Sequence, residues 1–430
     1  MLHLEGLTLE RDGATGPFRV LQGLNLRLAD GERLALVGGN GSGKSSLLRH
    51  LAEPGVVVNR RVGYLCQDPD EQLVAATVGG EVTLGCPEDD PEPVLADVGL
   101  SGLAGVDSRL LSAGQKQRLQ LAVVLAQSPD LLLLDEPGSL QDDEQAVWLR
   151  ERLAGFPGAL IWATQSREEA RWCGRTLALV EGRPVADGPT DQVLNGPEVR
   201  GLWRSPAGDG VIRPSGDLLA SLTSVACRFH RGGIEGIDLQ LRAGERVGLV
   251  GPNGCGKSTL LAVLAGLRAP DGGQVRVADR RLYRGARQDL DHGLVSLAPQ
   301  FPEYLFATGS VTAEARLSGV DPALALVAAG LSPEAAGQSP HQFSGGQRRR
   351  LALALMLTAS RPLVLLDEPT AALDAEGRQA VADQVNALPA DTAVVIAAHD
   401  REFLRACGCR LLAVTSAGLV AIADGEPAEG

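Results

Sequence analysis

The chain has 430 residues, with 44% hydrophobic and 22% charged, enough for two domains that each bury a core. A formal net charge of −13 argues against broad electrostatic binding to nucleic acid or anionic lipid. No uninterrupted run of about 18 apolar residues is present to span a bilayer, and the start, MLHLEGLTLERDG, does not read as a signal peptide. Seven scattered cysteines without a CxxC pair fit a reducing compartment, so a cytoplasmic protein is expected.

The first informative element is "LALVGGNGSGKSSLLRHLA": an apolar strand, a glycine-rich loop and a helical pattern. Gly38, Gly39, Asn40, Gly41, Ser42, Gly43, Lys44 and Ser45, followed by Ser46, have the form G-x-x-x-x-G-K-S. Glycines let backbone N–H groups turn toward phosphate oxygens, and the following helix N-terminus favours negative charge. Lys44 is expected to neutralise β- and γ-phosphates, and Ser45 to ligate Mg²⁺. The same pattern returns 213 residues later as Gly251, Pro252, Asn253, Gly254, Cys255, Gly256, Lys257 and Ser258, followed by Thr259. The chain holds three lysines against 37 arginines, and two of the three stand in these loops.

After each loop comes a glutamine, Gln67 or Gln300, but their offset has grown to 233 residues. The first half is therefore 20 residues shorter here. It has "EPGVVVNRR" where the second has "GGQVRVADRRLYRG", which reads as strand–turn–strand. Next, "LLLLDEP" and "LVLLDEP" end buried parallel strands with carboxylates at their C-terminal tips, where such sheets bind ligands. Asp135 and Asp367 are expected in the Mg²⁺ shell. Glu136 and Glu368 are expected to polarise an attacking water, as in-line phosphoryl transfer needs. About thirty residues on, "IWATQS" (161–166) and "VIAAHD" (395–400) end apolar strands, with Gln165 in one where His399 stands in the other. The stretch 204–217, "RSPAGDGVIRPSGD", reads as a linker between domains at 1–203 and 218–430.

"LSAGQ" (111–115) and "FSGGQ" (343–347) complete the pattern. With them the chain resembles the ABC transporter ATPase family over nearly its whole length. That resemblance implies an α/β fold of two tandem P-loop NTPase domains, each with a mostly parallel sheet core and a helical subdomain. It implies ATP and Mg²⁺ as cofactors, with each ATP sandwiched between one domain's loop and the other's signature. Ser344, Gly345, Gly346 and Gln347 would then face the nucleotide on Lys44. Ser112, Gly114 and Gln115 would face the one on Lys257. Gln67 and Gln300 match a glutamine that contacts Mg²⁺ and senses the membrane partner. Asp142 and Asp374 match the D-loop, His399 the switch histidine and Phe229 the adenine-stacking aromatic.

"QDPDEQLVAATVGGEVTLG" (67–85) is similar to energy-coupling-factor (ECF) ATPases, which drive uptake of vitamins and transition-metal ions. "QFPEYLFATGSV" is a looser version, with Leu305 in place of Gln72. The resemblance thus implies a peripheral subunit at the inner face of the cell membrane, docked on integral transporter subunits without entering the bilayer or binding nucleic acid. Two alternatives are a fused-cassette ATPase of another ABC importer and a soluble twin-ATPase translation factor. The latter carries a long charged helical linker, which the fourteen loop-like residues here do not provide.

The first half departs from the family pattern at Gln165, at Arg11 (where an aromatic is expected) and in its missing strands. Its signature also carries Ala113 in place of glycine. Losing a complete transition-state donor costs about 10²–10³ in rate. The Lys257 site is accordingly expected to be the main hydrolytic centre, and the Lys44 site to bind ATP and turn over slowly. Two stretches carry no functional expectation: "QRRRLALALML" as a helix with an arginine-rich solvent face, and "CPEDDPEP" as a solvated acidic loop.

Overall fold

The computed structural model describes residues 1–13, 16–87, 90–138, 143–203, 216–228, 233–278, 280–284, 287–288, 293–359, 361–371, 373–415 and 418–422. It divides into two compact units, Met1–Arg204 and Ser205–Gly430. Most of the stretch read as a linker, 204–215, lies outside the described residues, as do Asp142 and Phe229.

The first unit opens with an antiparallel pair, β1 (Leu2–Gly13) and β2 (Gly16–Leu28). There follow β3 (Arg33–Val37), α1 (Lys44–Ala52), β4 (Val62–Leu65), α2 (Val78–Gly85), α3 (Pro91–Ala96) and α4 (Ala113–Ala126). The unit continues with β5 (Leu131–Asp135), α5 (Asp143–Ala154), β6 (Ala159–Thr164), α6 (Arg167–Cys173), β7 (Arg175–Val180), β8 (Arg183–Pro189) and α7 (Thr190–Asn195). Its main sheet has the order β4-β5-β6-β3-β7-β8, parallel except for β8. Every residue of β5 and β6 is buried, which is why these strands read as unbroken apolar runs. Alternate residues serve opposite faces. Leu131 and Leu133 join the cluster under β1, β2 and α1, while Leu132 and Leu134 join Trp162 and Leu121 on the other side.

The second unit begins with β9 (Leu218–Arg228), β10 (Gly233–Arg242), β11 (Arg246–Val250), α8 (Lys257–Leu264) and β12 (Gly272–Val277). Three two-residue strands follow, β13 (Arg280–Arg281), β14 (Tyr283–Arg284) and β15 (Arg287–Gln288), then β16 (Val295–Ala298), α9 (Val311–Ser318) and α10 (Pro322–Ala328). It closes with α11 (Gly345–Thr358), β17 (Leu363–Asp367), α12 (Ala375–Asn386), β18 (Ala393–Ala397), α13 (Arg401–Ala406), β19 (Arg410–Thr415) and β20 (Gly418–Ala421). The sheet order β16-β17-β18-β11-β19-β20 repeats that of the first unit. The extra segment forms β12 and β13, which extend β10-β9 to four strands. Among the described residues the first unit has no such extension, and 53–60 there are turns and bends.

Two expectations are corrected. The acidic stretch is not all loop, because Asp90 caps α3 by accepting from the Glu92 amide. The arginines of "QRRR" do not all face solvent, because Arg349 is buried. All seven cysteines are free thiols, and among the described residues no helix is long and apolar enough to cross a membrane.

α6 and α13 occupy equivalent places, capped by Ser166 and Asp400, yet the residue that follows into the core differs. The second unit has the fully buried Phe403, and the first has the buried carboxyl of Glu169, hydrogen-bonded by the Thr164 hydroxyl. Burial pushes Glu169 up to about 7, opposed by the Thr164 bond. Between its ordinary value of 4.5 and about 7, the native state keeps a proton that the unfolded chain has released. Stability of the first unit should therefore fall as pH rises through that window, by about 3 kcal/mol. Glu169→Gln should remove this component, read by urea denaturation at pH 4.5 and pH 8. Identical pH dependence in the two proteins would contradict it.

Candidate functional site

In both units the glycine-rich loop joins a buried central strand to a helix whose N-cap is a left-handed glycine, Gly43 (φ 98°) or Gly256 (φ 109°). Among the described residues no side chain caps either helix, so its first amides are available to an anion. Glycine is required there for space as well. A Cβ on Gly43 would lie 2.7 Å from Leu21 Cδ2, and one on Gly256 would lie 2.6 Å from Ile234 Cγ2. The two lysines are almost fully buried. Lys44 Nζ donates to the carbonyls of Gly38 (2.8 Å) and Gly39 (3.2 Å), and Lys257 Nζ to those of Gly251 (2.6 Å) and Pro252 (3.2 Å). Each amine is thus held inside the loop that a phosphate would enter. In the second unit this loop borders a cleft of about 330 Å³, which Ser258, Gln300 and Glu368 also line. Cys255 is half-buried and packs against the core behind the loop.

The carboxylate pairs lie at the tips of β5 and β17. Ser45 Oγ donates to Asp135 Oδ1 at 2.9 Å, and Ser258 hydrogen-bonds Asp367 in the same way. Burial raises both aspartates above the ordinary carboxylate value, and these hydroxyl bonds oppose it. The next residue is strained in both units, with Glu136 at φ 48° and Glu368 at φ 45°, a region that costs a non-glycine residue about 1–3 kcal/mol. Its amide is nevertheless tied to the neighbouring strand, Glu136 to the Ala163 carbonyl at 2.9 Å and Glu368 to that of Ala397 at 2.8 Å. Burial pushes Glu368 up to about 7, with Lys257 opposing.

Gln165 and His399 occupy matching positions and have matching partners. Gln165 Nε2 donates to Asn40 Oδ1 (3.1 Å) and to both Glu136 oxygens (3.1 and 3.2 Å). His399 Nε2 lies 3.0 Å from Asn253 Oδ1, 3.4 Å from Glu368 Oε1 and 3.3 Å from Lys257 Nζ. Glu136 also takes an ion pair from Lys44 at 3.3 Å and a long hydrogen bond from Gln67 at 3.4 Å. The substitution therefore keeps the contact pattern while removing the group that can carry charge.

Ser112 and Ser344 are the N-caps of α4 and α11, each closed by a capping box. Their hydroxyls accept from the amides of Gln115 and Gln347 at 3.3 Å, and those glutamine side chains accept in return. Gly114, Gly345 and Gly346 lie in the first turn, whose unpaired amides suit a phosphate. Ala113 is itself helical, so glycine's left-handed freedom is not needed at that position. Behind the second signature, buried Arg349 donates to the carbonyls of Gln300 and of Glu368, the latter at 2.9 Å. The aligned residue in the first unit is Gln117, which donates to the Pro137 carbonyl.

Sequence reasoning missed several neighbours. Phe18, 54% exposed, stands directly across the β1–β2 ladder from Arg11. The first unit therefore does offer an aromatic on the expected face, and hairpin pairing was the signal that could have found it. Gln72 bonds the Cys66 amide (3.2 Å) and the Tyr64 carbonyl (3.0 Å), which clamps the turn after Gln67. Leu305, in its place in the second unit, is exposed. Tyr64 itself donates to Asp135 Oδ2 at 3.2 Å.

Comparison with known proteins agrees with this geometry. The sequence profile of the ABC transporter family matches residues 21–139 and 234–371. A Streptomyces avermitilis protein, provisionally named an ABC transporter ATP-binding protein, is 31% identical, covering all of this chain and 94% of its own length. A Bacillus subtilis protein, provisionally named HMP/thiamine import ATP-binding protein YkoD, is 29% identical over 95% of this chain and 89% of its own. Among solved structures, the chain resembles a protein in a model of ribosome-bound archaeal Pelota and ABCE1 (TM-score 0.72, 22% identity, 93% of this chain and 76% of that one). It also resembles an RNase-L inhibitor (TM-score 0.65, 20% identity, 94% and 89%). At these identities the structural matches show the fold alone. The chain belongs to the ABC transporter family, as an ATPase with two ATP-binding cassettes.

Proposed function

We propose that this chain energises uptake of a vitamin or transition-metal ion through an ECF-type membrane transporter, with the Lys257 site as its main hydrolytic centre. The observation that supports the engine is its duplication. A buried lysine, a serine–aspartate pair and a strained glutamate meet twice on the same strand and helix ends. The transport class draws on the clamped "QDPDEQ" turn and on a relative whose name includes HMP/thiamine import.

The residues present fit Mg²⁺. Among the described residues Asp367 Oδ1 is buried without a hydrogen-bond partner, and Ser258 stands against the same carboxylate. A hydroxyl and a carboxylate are the hard oxygen donors this ion takes alongside phosphates and water. Ser258, Asp367 and Gln300 would hold it in the second unit, and Ser45, Asp135 and Gln67 in the first. Bound there, it would offset the negative charge of the phosphates. Lys44 and Lys257 reach the β- and γ-phosphates, and Phe18 supplies a surface for adenine in the first unit. Glu368 orients and polarises the attacking water once ionised, with His399 beside it able to bear positive charge. Glu136 is held instead by Lys44, Gln165 and Gln67 together, with a neutral amide where the histidine would be.

Gln165→His, made in a Glu368→Gln protein, should raise first-unit turnover on the order of tenfold. That is less than the about 10²–10³ cost of losing a donor altogether, because the glutamine already donates. Phosphate release per bound ATP is the measurement, and an unchanged rate would contradict the reading.

Docking is tested at Asp70, three residues after Gln67, which pairs with Lys116 of α4 at 2.6 Å. Charge reversal at Asp70 together with Glu71 should abolish co-purification with integral membrane subunits while ATP still binds. Unchanged assembly would make the turn ordinary surface. Co-sedimentation of the wild-type chain with ribosomes in place of membranes would overturn the transport reading.

A further inference from the structure

The two serine–aspartate pairs differ in what surrounds the carboxylate. Asp135 has both oxygens engaged, Oδ1 by the Ser45 hydroxyl and Oδ2 by the Tyr64 hydroxyl. Among the described residues Asp367 is hydrogen-bonded by the serine, and its Oδ1 is buried without a partner. Tyr64 lies on β4 and is in turn hydrogen-bonded by the guanidinium of Arg49 on α1, which also reaches Glu71 at 3.4 Å. The aligned positions in the second unit are Leu297 and Ala262, which can make neither bond.

We propose that Tyr64, backed by Arg49, is a positioning residue that makes the first unit the weaker Mg²⁺ site by occupying the aspartate oxygen left open in the second. The inference rests on the reading of Asp135 and Asp367 as metal-site residues. Two effects act in the same direction. The phenol takes an acceptor that a metal-bound water would otherwise use, and the guanidinium places a fixed positive charge near the site of a dication. Groups around a metal ligand usually raise affinity by orienting it, with effects of about 10–100-fold. Orientation does not require the phenol, since Ser45 already anchors Oδ1 and Asp367 is anchored by Ser258 with no tyrosine at the aligned position. Occupancy of the acceptor therefore outweighs orientation. Because Arg49 also contacts Glu71, in the turn after Gln67, this chain of bonds ties metal affinity at the first unit to the proposed docking segment.

The test uses the full chain, with Mn²⁺ as the paramagnetic probe titrated at saturating ATP in a Glu136→Gln, Glu368→Gln background. Lys257→Ala isolates the first unit, and Lys44→Ala the second. Tyr64→Phe should tighten Mn²⁺ at the first unit on the order of tenfold, and Arg49→Ala by less. In the second unit, Ala262→Arg with Leu297→Tyr should weaken Mn²⁺ by a similar factor. Metal-free binding of a fluorescent ATP analogue should be unchanged in each variant, which separates metal affinity from folding. Unchanged or weaker Mn²⁺ binding in Tyr64→Phe would overturn the role given to Tyr64. Absence of ATP-dependent Mn²⁺ binding in both wild-type units would overturn the site assignment itself.

Discussion

A glutamate forced into left-handed backbone at the tip of a buried parallel strand is the constraint on which each site depends. Glu136 and Glu368 have φ near 48° and 45° and follow strands buried at every position. The conformation persists because the next strand takes the glutamate amide through Ala163 or Ala397, so the sheet over-determines the geometry. That neighbouring strand then ends within two residues at Gln165 or His399. One pair of strands thus fixes both the carboxylate and the side chain facing it. The lysine approaches from β3 or β11, the central strand next to that pair.

Against this frame the missing histidine becomes a change of charge with little change of shape. Gln165 reaches the asparagine and glutamate that His399 reaches in the other unit. The first unit adds further restraints on the same machinery: Lys44 and Gln67 on Glu136, and Tyr64 on Asp135. The second has an aspartate oxygen without a partner among the described residues and a glutamate that burial pushes up to about 7. These differences support the proposed ranking, a slow first site and a main second one. Phe18 is the exception, because it supplies an aromatic that the sequence comparison had placed only in the second half.

Much of this was legible in the chain because it rests on local rules. Apolar runs ending in "LLDEP" announce parallel strands covered on both faces, and a glycine-rich loop before a helix announces an anion site. The 20-residue offset marks in the sequence itself where the extra strands β12 and β13 lie. Long-range partners were not legible. Tyr64 and Asp135 are 71 residues apart, and only the pairing of β4 with β5 brings them together. Arg349 looked like one of three surface arginines, since helical periodicity does not reveal that carbonyls of Gln300 and Glu368 await it. Glu169 was likewise hidden, because an acidic first helical turn is normally a solvated cap preference and here it enters the core.

The central claim is that two cassettes of one chain share a constellation but divide its work unequally. Comparing steady-state phosphate release by Glu136→Gln and Glu368→Gln in the otherwise unaltered protein tests it most directly. Glu368→Gln should nearly abolish release while Glu136→Gln retains most of it. Equal losses in the two variants would contradict the ranking of the sites.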